Sequence, residues 1–503
     1  MKKVWVFGNY ILLFIALVIF NGTRWVIANF SFESFDEILF TITSPLEGTG
    51  NGMIWGFIKE NLLWPLVVVL LIMLFRFICK RYNLEVSLEI FKKKFNFDML
   101  HLKFYKFLKF VPIILFILAF TFMGKKLYFF KYLKYQFMES NYIEENYVAP
   151  ESVKITFPEK KRNLIYIYLE SMEMTYADKE NGGAYDTNYI SELSSIAKKN
   201  INFSNTDNLG GAYVVGPATW TIGAMVAQTT GLPLKSPFNG NMLTRYYDNI
   251  LPGASSLGEI LEDSGYKNYI MFGSNAEFAG RDVYFKNHGN YEIYDYYRAI
   301  DDGIIDDDYY VFWGLEDAKL FPWAKKVLKK ISKNDEPFNF TLLTVDTHAM
   351  DGYTSDFCKD VSDDVYLNAV ACSSYQVGEF IKWLQKQSFY KDTTIVLVGD
   401  HLSMNNYSFN NINGYDRNVY NAFINSAVSS DNTNNRVFST MDYFPTTIAA
   451  LGATIEGDRL GLGTNLFSDK KTLIEEISKD EVYKELSKNS RYYNKCFVNN
   501  ECN

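Results

Sequence analysis

Four apolar runs in this chain end on side chains able to do chemistry. "NLIYIYLES" delivers Glu170, "FNFTLLTVDTH" delivers Asp346 and His348, "TTIVLVGDH" delivers Asp400 and His401, and "KNYIMFGS" leads into a loop holding Arg281. The chain has only 4 histidines, and two of them stand in these positions. Carboxylates from two runs with one imidazole make a mixed oxygen and nitrogen donor set, suited to Mn2+, Zn2+ or Mg2+. Thiols take no part, since the 5 cysteines show no Cys-x-x-Cys spacing. A divalent ion in such a site needs a partner, either a nucleophile to activate or an oxyanion to hold.

The candidate nucleophile lies in "GGAYVVGPATWTIGAMVAQTTGLPL" (Gly210–Leu234), where a loop with Gly and Pro meets a helical stretch at Thr221. A threonine at a helix N-terminus commonly serves as a cap. The same position turns its hydroxyl toward the positive helix end, which favours an alkoxide and an incoming phosphate. Beside a metal ion it becomes an activated nucleophile. Thr219, two residues earlier, leaves the register open. Thr221 is preferred because the small residues Gly223 and Ala224 follow it and would let phosphate approach the backbone.

Positioning these groups requires particular elements. The four runs read as strands buried on both faces, with helical patterns such as Ala254–Gly265 and Tyr375–Lys386 between them. That alternation predicts an α/β domain whose mainly parallel sheet is covered by helices on both faces. In open sheets of this kind, ligands bind beyond the carboxyl ends of the strands. The candidate residues gather there. No internal repeat or low-complexity tract is present.

The chain of 503 residues exceeds one ordinary domain, and its net charge of −8 carries no nucleic-acid footprint. Three apolar segments, about 4–20, 62–78 and 108–124, approach the roughly 20 residues that span a bilayer. No small-residue cleavage site follows the first, so it reads as an anchor and not a signal peptide. Arg76, Lys80, Arg81, Lys92, Lys93, Lys94, Lys103, Lys106 and Lys109 lie between and beside the second and third segments. Glu33, Asp36, Glu37 and Glu47 lie between the first two. The positive-inside rule places the basic loop in the cytoplasm and everything after Gly124 outside the cytoplasmic membrane, on the periplasmic side where one exists. Lys125, Lys126, Lys131 and Lys134, interleaved with aromatic residues, read as an interfacial helix on anionic lipid. The expected organisation is a transmembrane region 1–124, an interfacial helix and polar linker 125–162, and a catalytic domain 163–503. Cys358–Cys372 and Cys496–Cys502 are expected disulfides of the outer region. His101 and His288 carry no functional expectation.

The ordered motifs "LESMEMTY", "TWTIGAMVAQTTGLPL", "GRDVYF", "TVDTH" and "GDH" resemble the membrane-anchored phosphoglycerol transferases. These are related to lipoteichoic acid synthases within the sulfatase/alkaline-phosphatase superfamily, and the resemblance runs from Asn163 to Phe467. It implies one divalent metal ion, Mn2+ first, held by Glu170, Thr221, Asp400 and His401, with Thr221 also the nucleophile. Arg281 and His348 would contact the phosphoglycerol group, and Glu173 would sit behind the ligands or on a helix surface. The implied reaction moves phosphoglycerol from an anionic membrane lipid, phosphatidylglycerol, to a glycan acceptor through a phosphothreonine intermediate. A phosphoethanolamine transferase, a metal-dependent phosphodiesterase and a non-catalytic membrane sensor are the alternatives. The sulfatase hallmark Cys/Ser-x-Pro-x-Arg is missing, which argues against sulfate-ester hydrolysis.

Overall fold

A computed structural model describes residues 2–32, 34–43, 51–82, 85–90, 93–98, 109–235, 249–409, 412 and 414–502. Glu33, Glu47, Lys92, His101, Lys103 and Lys106 lie outside them. The chain divides into two units. The smaller comprises Met1–Phe30 and Gly48–Lys131; the larger comprises Ser31–Glu47 and Tyr132–Asn503.

In the smaller unit, two helices among the described residues, Phe7–Asn29 and Gly52–Tyr82, are long and apolar enough to cross a bilayer. The first continues well past the expected end at Phe20. In the second, Pro65 has no N–H to donate, and one wide turn at Lys59–Leu63 carries the helix past it. Three spans were expected, and the third is the correction. Val111–Lys126 has 16 residues, roughly 24 Å at about 1.5 Å per residue, short of the roughly 30 Å of hydrocarbon. It reaches the length of a span only together with Phe129–Gln136, across a bend of 73°. Tyr128, with φ 58°, breaks the helix between them. Arg76 donates to the Tyr10 hydroxyl at 3.0 Å. Between the second and third helical segments the chain forms an antiparallel hairpin, Glu85–Ile90 with Lys93–Asp98.

The larger unit is built on a six-stranded sheet. Its strands in chain order are β1 (Asn163–Leu169), β2 (Lys267–Phe272), β3 (Glu292–Tyr294), β4 (Phe338–Leu343), β5 (Thr393–Gly399) and β6 (Asn421–Ile424). Their spatial order is β3-β2-β4-β1-β5-β6. All pairings are parallel except β5 with β6. Every residue of β5 is buried, as a strand covered on both faces requires. The strand period sends alternate side chains to opposite cores. Leu164, Tyr166, Tyr168, Val396 and Val398 enter one core, and Ile165, Ile167, Leu169, Ile395 and Leu397 the other.

Helices Thr221–Thr230, Leu257–Asp263 and Tyr443–Ala450 supply apolar side chains to the first core. Asp317–Ile331 and Val365–Leu384 supply them to the second. The expected helix at Tyr375–Lys386 starts earlier, because the Asp364 side chain accepts from the Tyr366 N–H and caps it. The expected linker also differs. Ile143 is 1% exposed within the first core, so the chain after Glu139 packs against the domain as part of it. Both expected disulfides are formed, Cys358–Cys372 and Cys496–Cys502, and Cys79 is free and buried.

Candidate active site

β1, β4 and β5 lie side by side, so their carboxyl ends deliver their polar residues to one edge. Glu170 follows β1 and Asp400 and His401 follow β5; all three are buried, and their ligand atoms lie within 4.8 Å of one another. Ser171 then turns into the left-handed region at φ 51°, and its N–H donates to Asp400 Oδ1 at 2.8 Å. The His401 N–H donates to the same oxygen at 2.7 Å. Asp400 Oδ2 is thereby left buried without a hydrogen-bond partner. Gly399 ends β5 because a Cβ there would meet the Met172 carbonyl oxygen at 2.0 Å.

His401 Nδ1 lies 2.8 Å from the Leu402 carbonyl. A carbonyl only accepts, so Nδ1 carries the proton and Nε2 faces the site. That nitrogen lies 3.4 Å from Glu170 Oε1, 3.4 Å from Asp400 Oδ2 and 3.3 Å from Thr221 Oγ1. Thr221 Oγ1 also donates to Glu170 Oε2 at 3.2 Å. Thr221 is the first residue of its helix, and the extended Trp220 precedes it. Its hydroxyl therefore meets two of the ligand candidates at a positive helix end. Thr219 is 2% exposed, and its hydroxyl has no hydrogen-bond partner.

Gly223 does not serve the expected approach of phosphate to the backbone. A Cβ there would meet Trp220 Cε2 at 3.0 Å, so the glycine accommodates the indole. Gln228 holds this helix against the strand ends. Its Nε2 lies 3.3 Å from the carbonyls of both Gly399 and Asp400, and its Oε1 accepts from the Tyr166 hydroxyl at 2.9 Å.

The charges of the cluster perturb one another. Burial and the Glu170 carboxylate push the Asp400 carboxyl up to about 8, against the pull of His401. Burial would lower His401, but Asp400 and Glu170 outweigh it and raise the imidazole to about 9. Burial opposes ionisation of Glu170, yet His401 and His348 hold it below its ordinary value. Two buried carboxylates, an imidazole nitrogen turned inward and an orphaned carboxylate oxygen form a donor set that fits a divalent ion.

Arg281 and His348 belong to the same neighbourhood. Burial lowers the His348 imidazole, Glu170 raises it, and His401 and Arg281 lower it further. Arg281 starts the helix Arg281–Asn287 after two residues with positive φ, Ala279 and Gly280. Its guanidinium donates to Ser274 Oγ at 2.9 Å and the Asn275 carbonyl at 2.6 Å, 4.6 Å above the Phe272 ring.

Asp346 does not join the cluster, although it stands at the same sheet edge. Its carboxylate accepts from the Asp317 N–H at 2.9 Å and from Gln376 at 3.0 Å. His288 is structural, as expected, with its nitrogens 3.1 Å from Glu259 and 2.6 Å from the Ile250 carbonyl.

Three contributors went unread in the sequence. The Trp313 ring packs on His348 at 4.4 Å. Gln228 ties the Thr221 helix to the carbonyls of Gly399 and Asp400. Arg417 pairs with Glu173, which is fully buried, through Nη2–Oε1 at 2.5 Å and Nε–Oε2 at 2.9 Å. Glu173 Oε1 in turn accepts from the Ser403 N–H at 2.8 Å. The one signal available was the "FWGLED" tryptophan in a polar loop; nothing local pointed to Gln228 or Arg417.

The family described as Sulfatase matches residues 162–453, a range that includes every residue of the cluster. The chain is 35% identical over 320 residues to Phosphoglycerol transferase I of Salmonella choleraesuis (strain SC-B67). That match spans 62% of this chain and 40% of the relative's length. The lipoteichoic acid synthase from Listeria monocytogenes superposes with a TM-score of 0.47 at 20% identity, covering 66% of this chain and 82% of that one. Lipooligosaccharide phosphoethanolamine transferase A of Neisseria meningitidis, an integral membrane protein, gives 0.48 at 12%, covering 88% and 84%.

Proposed function

From the premise that this chain belongs to the sulfatase family, we propose that it transfers phosphoglycerol from a membrane glycerophospholipid to an acceptor hydroxyl outside the cytoplasm. The observation that carries this reading is the Thr221 hydroxyl, within hydrogen-bond reach of both Glu170 and His401 at a helix N-terminus. The relatives named Phosphoglycerol transferase I support the choice of transferred group. The N-terminal apolar helices support a lipid donor, phosphatidylglycerol, and the two disulfides support an oxidising, extracytoplasmic compartment.

In this reaction the Thr221 oxygen attacks phosphorus, and the bond from phosphorus to the diacylglycerol oxygen breaks. The threonine proton ends on the diacylglycerol hydroxyl, with Glu170 the carboxylate nearest to receive it first. An acceptor hydroxyl, on a glycan, then attacks the phosphoglyceryl-threonine, and the oxygen of Thr221 leaves and regains a proton. Glu170, Thr221, Asp400 and His401 would hold the divalent ion, Mn2+ first, which would supply Lewis-acid stabilisation of the phosphoryl charge. Arg281 presents N–H donors to the phosphoryl oxygens, and the neutral His348, whose Nδ1 faces the Ala349 carbonyl at 2.9 Å, offers Nε2 as an acceptor to a glycerol hydroxyl.

Peptide mass spectrometry after incubation with Mn2+ and phosphatidylglycerol tests the reading. A phosphoglycerol adduct on Thr221 is expected. No adduct and no lipid turnover would overturn it, and an adduct formed only from phosphatidylethanolamine would reassign the head group.

A further inference from the structure

Aromatic side chains gather at the end of β2, beside the residues assigned to the transferred group. The turn Val311–Gly314 closes through paired backbone hydrogen bonds of 2.8 and 3.2 Å between those two residues, with Phe312 at φ 59° and Gly314 at φ 137°. It docks on the end of β2. There the Leu315 N–H donates to the Gly273 carbonyl at 3.0 Å, and a Cβ at Gly314 would meet the same oxygen at 2.2 Å. Trp313 thereby packs on His348, with ring centroids 4.4 Å apart, and edge-on against Phe278 at 5.3 Å. The Phe278 carbonyl accepts from Arg281 Nε at 3.1 Å. Direct contacts therefore place this turn against His348 and against the loop that carries Arg281.

Immediately before the turn the chain reads "DDDYY", Asp306 to Tyr310. Tyr310, 48% exposed, and Tyr297, 57% exposed, each meet the Tyr296 ring edge to face, at 5.7 and 5.3 Å. Tyr296 is itself fixed. Its N–H donates to the Ser274 carbonyl at 3.2 Å and its hydroxyl to the Tyr309 carbonyl at 2.9 Å. Ser274 is also the residue whose hydroxyl accepts from Arg281. Two tyrosine rings are thus held open to solvent on the same strand end that positions Arg281. Rings held in this way offer a large contact area with little side-chain entropy left to lose.

We propose that Tyr297, Tyr310 and the exposed run Asp306–Asp308 form the acceptor subsite, which holds a neutral glycan next to Trp313. The proposal rests on the phosphotransferase reading above and says where its acceptor binds and of what charge. A sugar ring presents C–H faces that stack on tyrosine and a rim of hydroxyls that donate to carboxylates. The three exposed aspartates repel the phosphate-bearing donor lipid and anionic polymers alike. The charge of this surface therefore selects an uncharged, hydroxyl-rich partner.

The test is calorimetric binding to the full chain in detergent, without lipid, using maltotetraose and cellotetraose as neutral probes and tetragalacturonate as an anionic one. Wild type is expected to bind a neutral tetrasaccharide about tenfold more tightly than tetragalacturonate. Tyr297→Ala combined with Tyr310→Ala should weaken the neutral probe by about tenfold or more. Tyr297→Phe with Tyr310→Phe should keep most of the affinity, because the rings carry the stacking and the fold is undisturbed. Asp306→Asn, Asp307→Asn and Asp308→Asn together should narrow the gap between neutral and anionic probes. No binding of either neutral probe by wild type, unchanged binding in the double alanine variant, or a preference for tetragalacturonate would overturn the proposal. Loss of phosphatidylglycerol turnover in the double alanine variant, with sugar binding intact, would give the rings to the lipid and also overturn it. Failure of the phosphotransferase reading shows separately, as absence of the Thr221 adduct, since these affinities are measured without turnover.

Discussion

Thr221 Oγ1 and His401 Nε2 lie 3.3 Å apart although 180 positions separate them in the chain. The contact joins the start of one helix to the end of β5, and it separates Thr221 from Thr219. Thr221→Ala is expected to lower transfer on the order of a thousandfold or more, because a missing nucleophile removes the covalent route itself. Thr221→Ser should retain part of the activity. Thr219→Ala should still form the adduct, and its loss there while Thr221→Ala kept it would reverse the assignment.

Metal binding should release protons. Asp400 and His401 are both raised, so the metal-free pair holds at least one proton at pH 7, and that proton must leave for both to act as ligands. Calorimetry of Mn2+ binding in buffers of different ionisation enthalpy should show between about one and two protons released per ion at pH 7. Affinity should rise steeply from pH 6 to 8. A pH-independent affinity would contradict the arrangement of charges described here.

Arg417 should matter for stability as well as for the site. It neutralises the buried Glu173 and also donates to the Ser403 carbonyl at 2.8 Å, close to His401. Arg417→Ala leaves that carboxylate buried and unpaired, which is expected to cost about 3–5 kcal/mol. Thermal unfolding in detergent would show it. The double variant Arg417→Met with Glu173→Gln should recover much of the loss; if it recovered none, the charge argument would be wrong.

The Asp317–Asp346 pair makes stability fall as pH rises. Both carboxylates are fully buried; Asp317 accepts from the Val345 N–H at 2.9 Å and Asp346 from the Asp317 N–H at 2.9 Å. Burial raises both, Asp346 to about 7 and Asp317 well above its ordinary value, and Asp346 adds to the effect on Asp317. A raised acid favours the protonated folded state. For Asp346, stability is therefore complete below its unfolded value of 3.8 and is lost progressively up to about pH 7. One proton contributes a slope of about 1.4 kcal/mol per pH unit. Asp346→Asn should be less stable than wild type at pH 4, with the gap narrowing toward pH 7. A gap that widened with pH would refute the sign.

Much of this site was legible because a parallel sheet leaves a strong local record. Runs such as Thr393–Gly399 must be apolar throughout to be buried on both faces, so a polar residue ending one of them stands out. Glu170, Asp400 and His401 were readable in this way. The third membrane span was over-read, because hydropathy continues through Gly124 while the left-handed Tyr128 bends the chain directly afterwards.

Other features depended on which elements became neighbours. Asp346 and His348 leave the same strand two residues apart, yet Asp346 is bound to Asp317 while His348 shares the cluster's charges. Strand alternation would put residues two apart on the same face; it is the turn after β4, closed by the His348 N–H on the Val345 carbonyl at 3.0 Å, that separates them. Gln228 and Arg417 carry no local pattern at all. Each acts through partners distant in sequence, as Gln228 does with Gly399 and Arg417 with Glu173.

The sequence by itself determined the strand ends, the donor types and the helix start at Thr221, because burial and helix capping act within a few residues. Only the tertiary structure decided that Thr221 meets His401 and that Asp346 turns away. Those outcomes depend on strand order and helix docking, which hydrophobic burial across the whole sheet selects and no local stretch encodes.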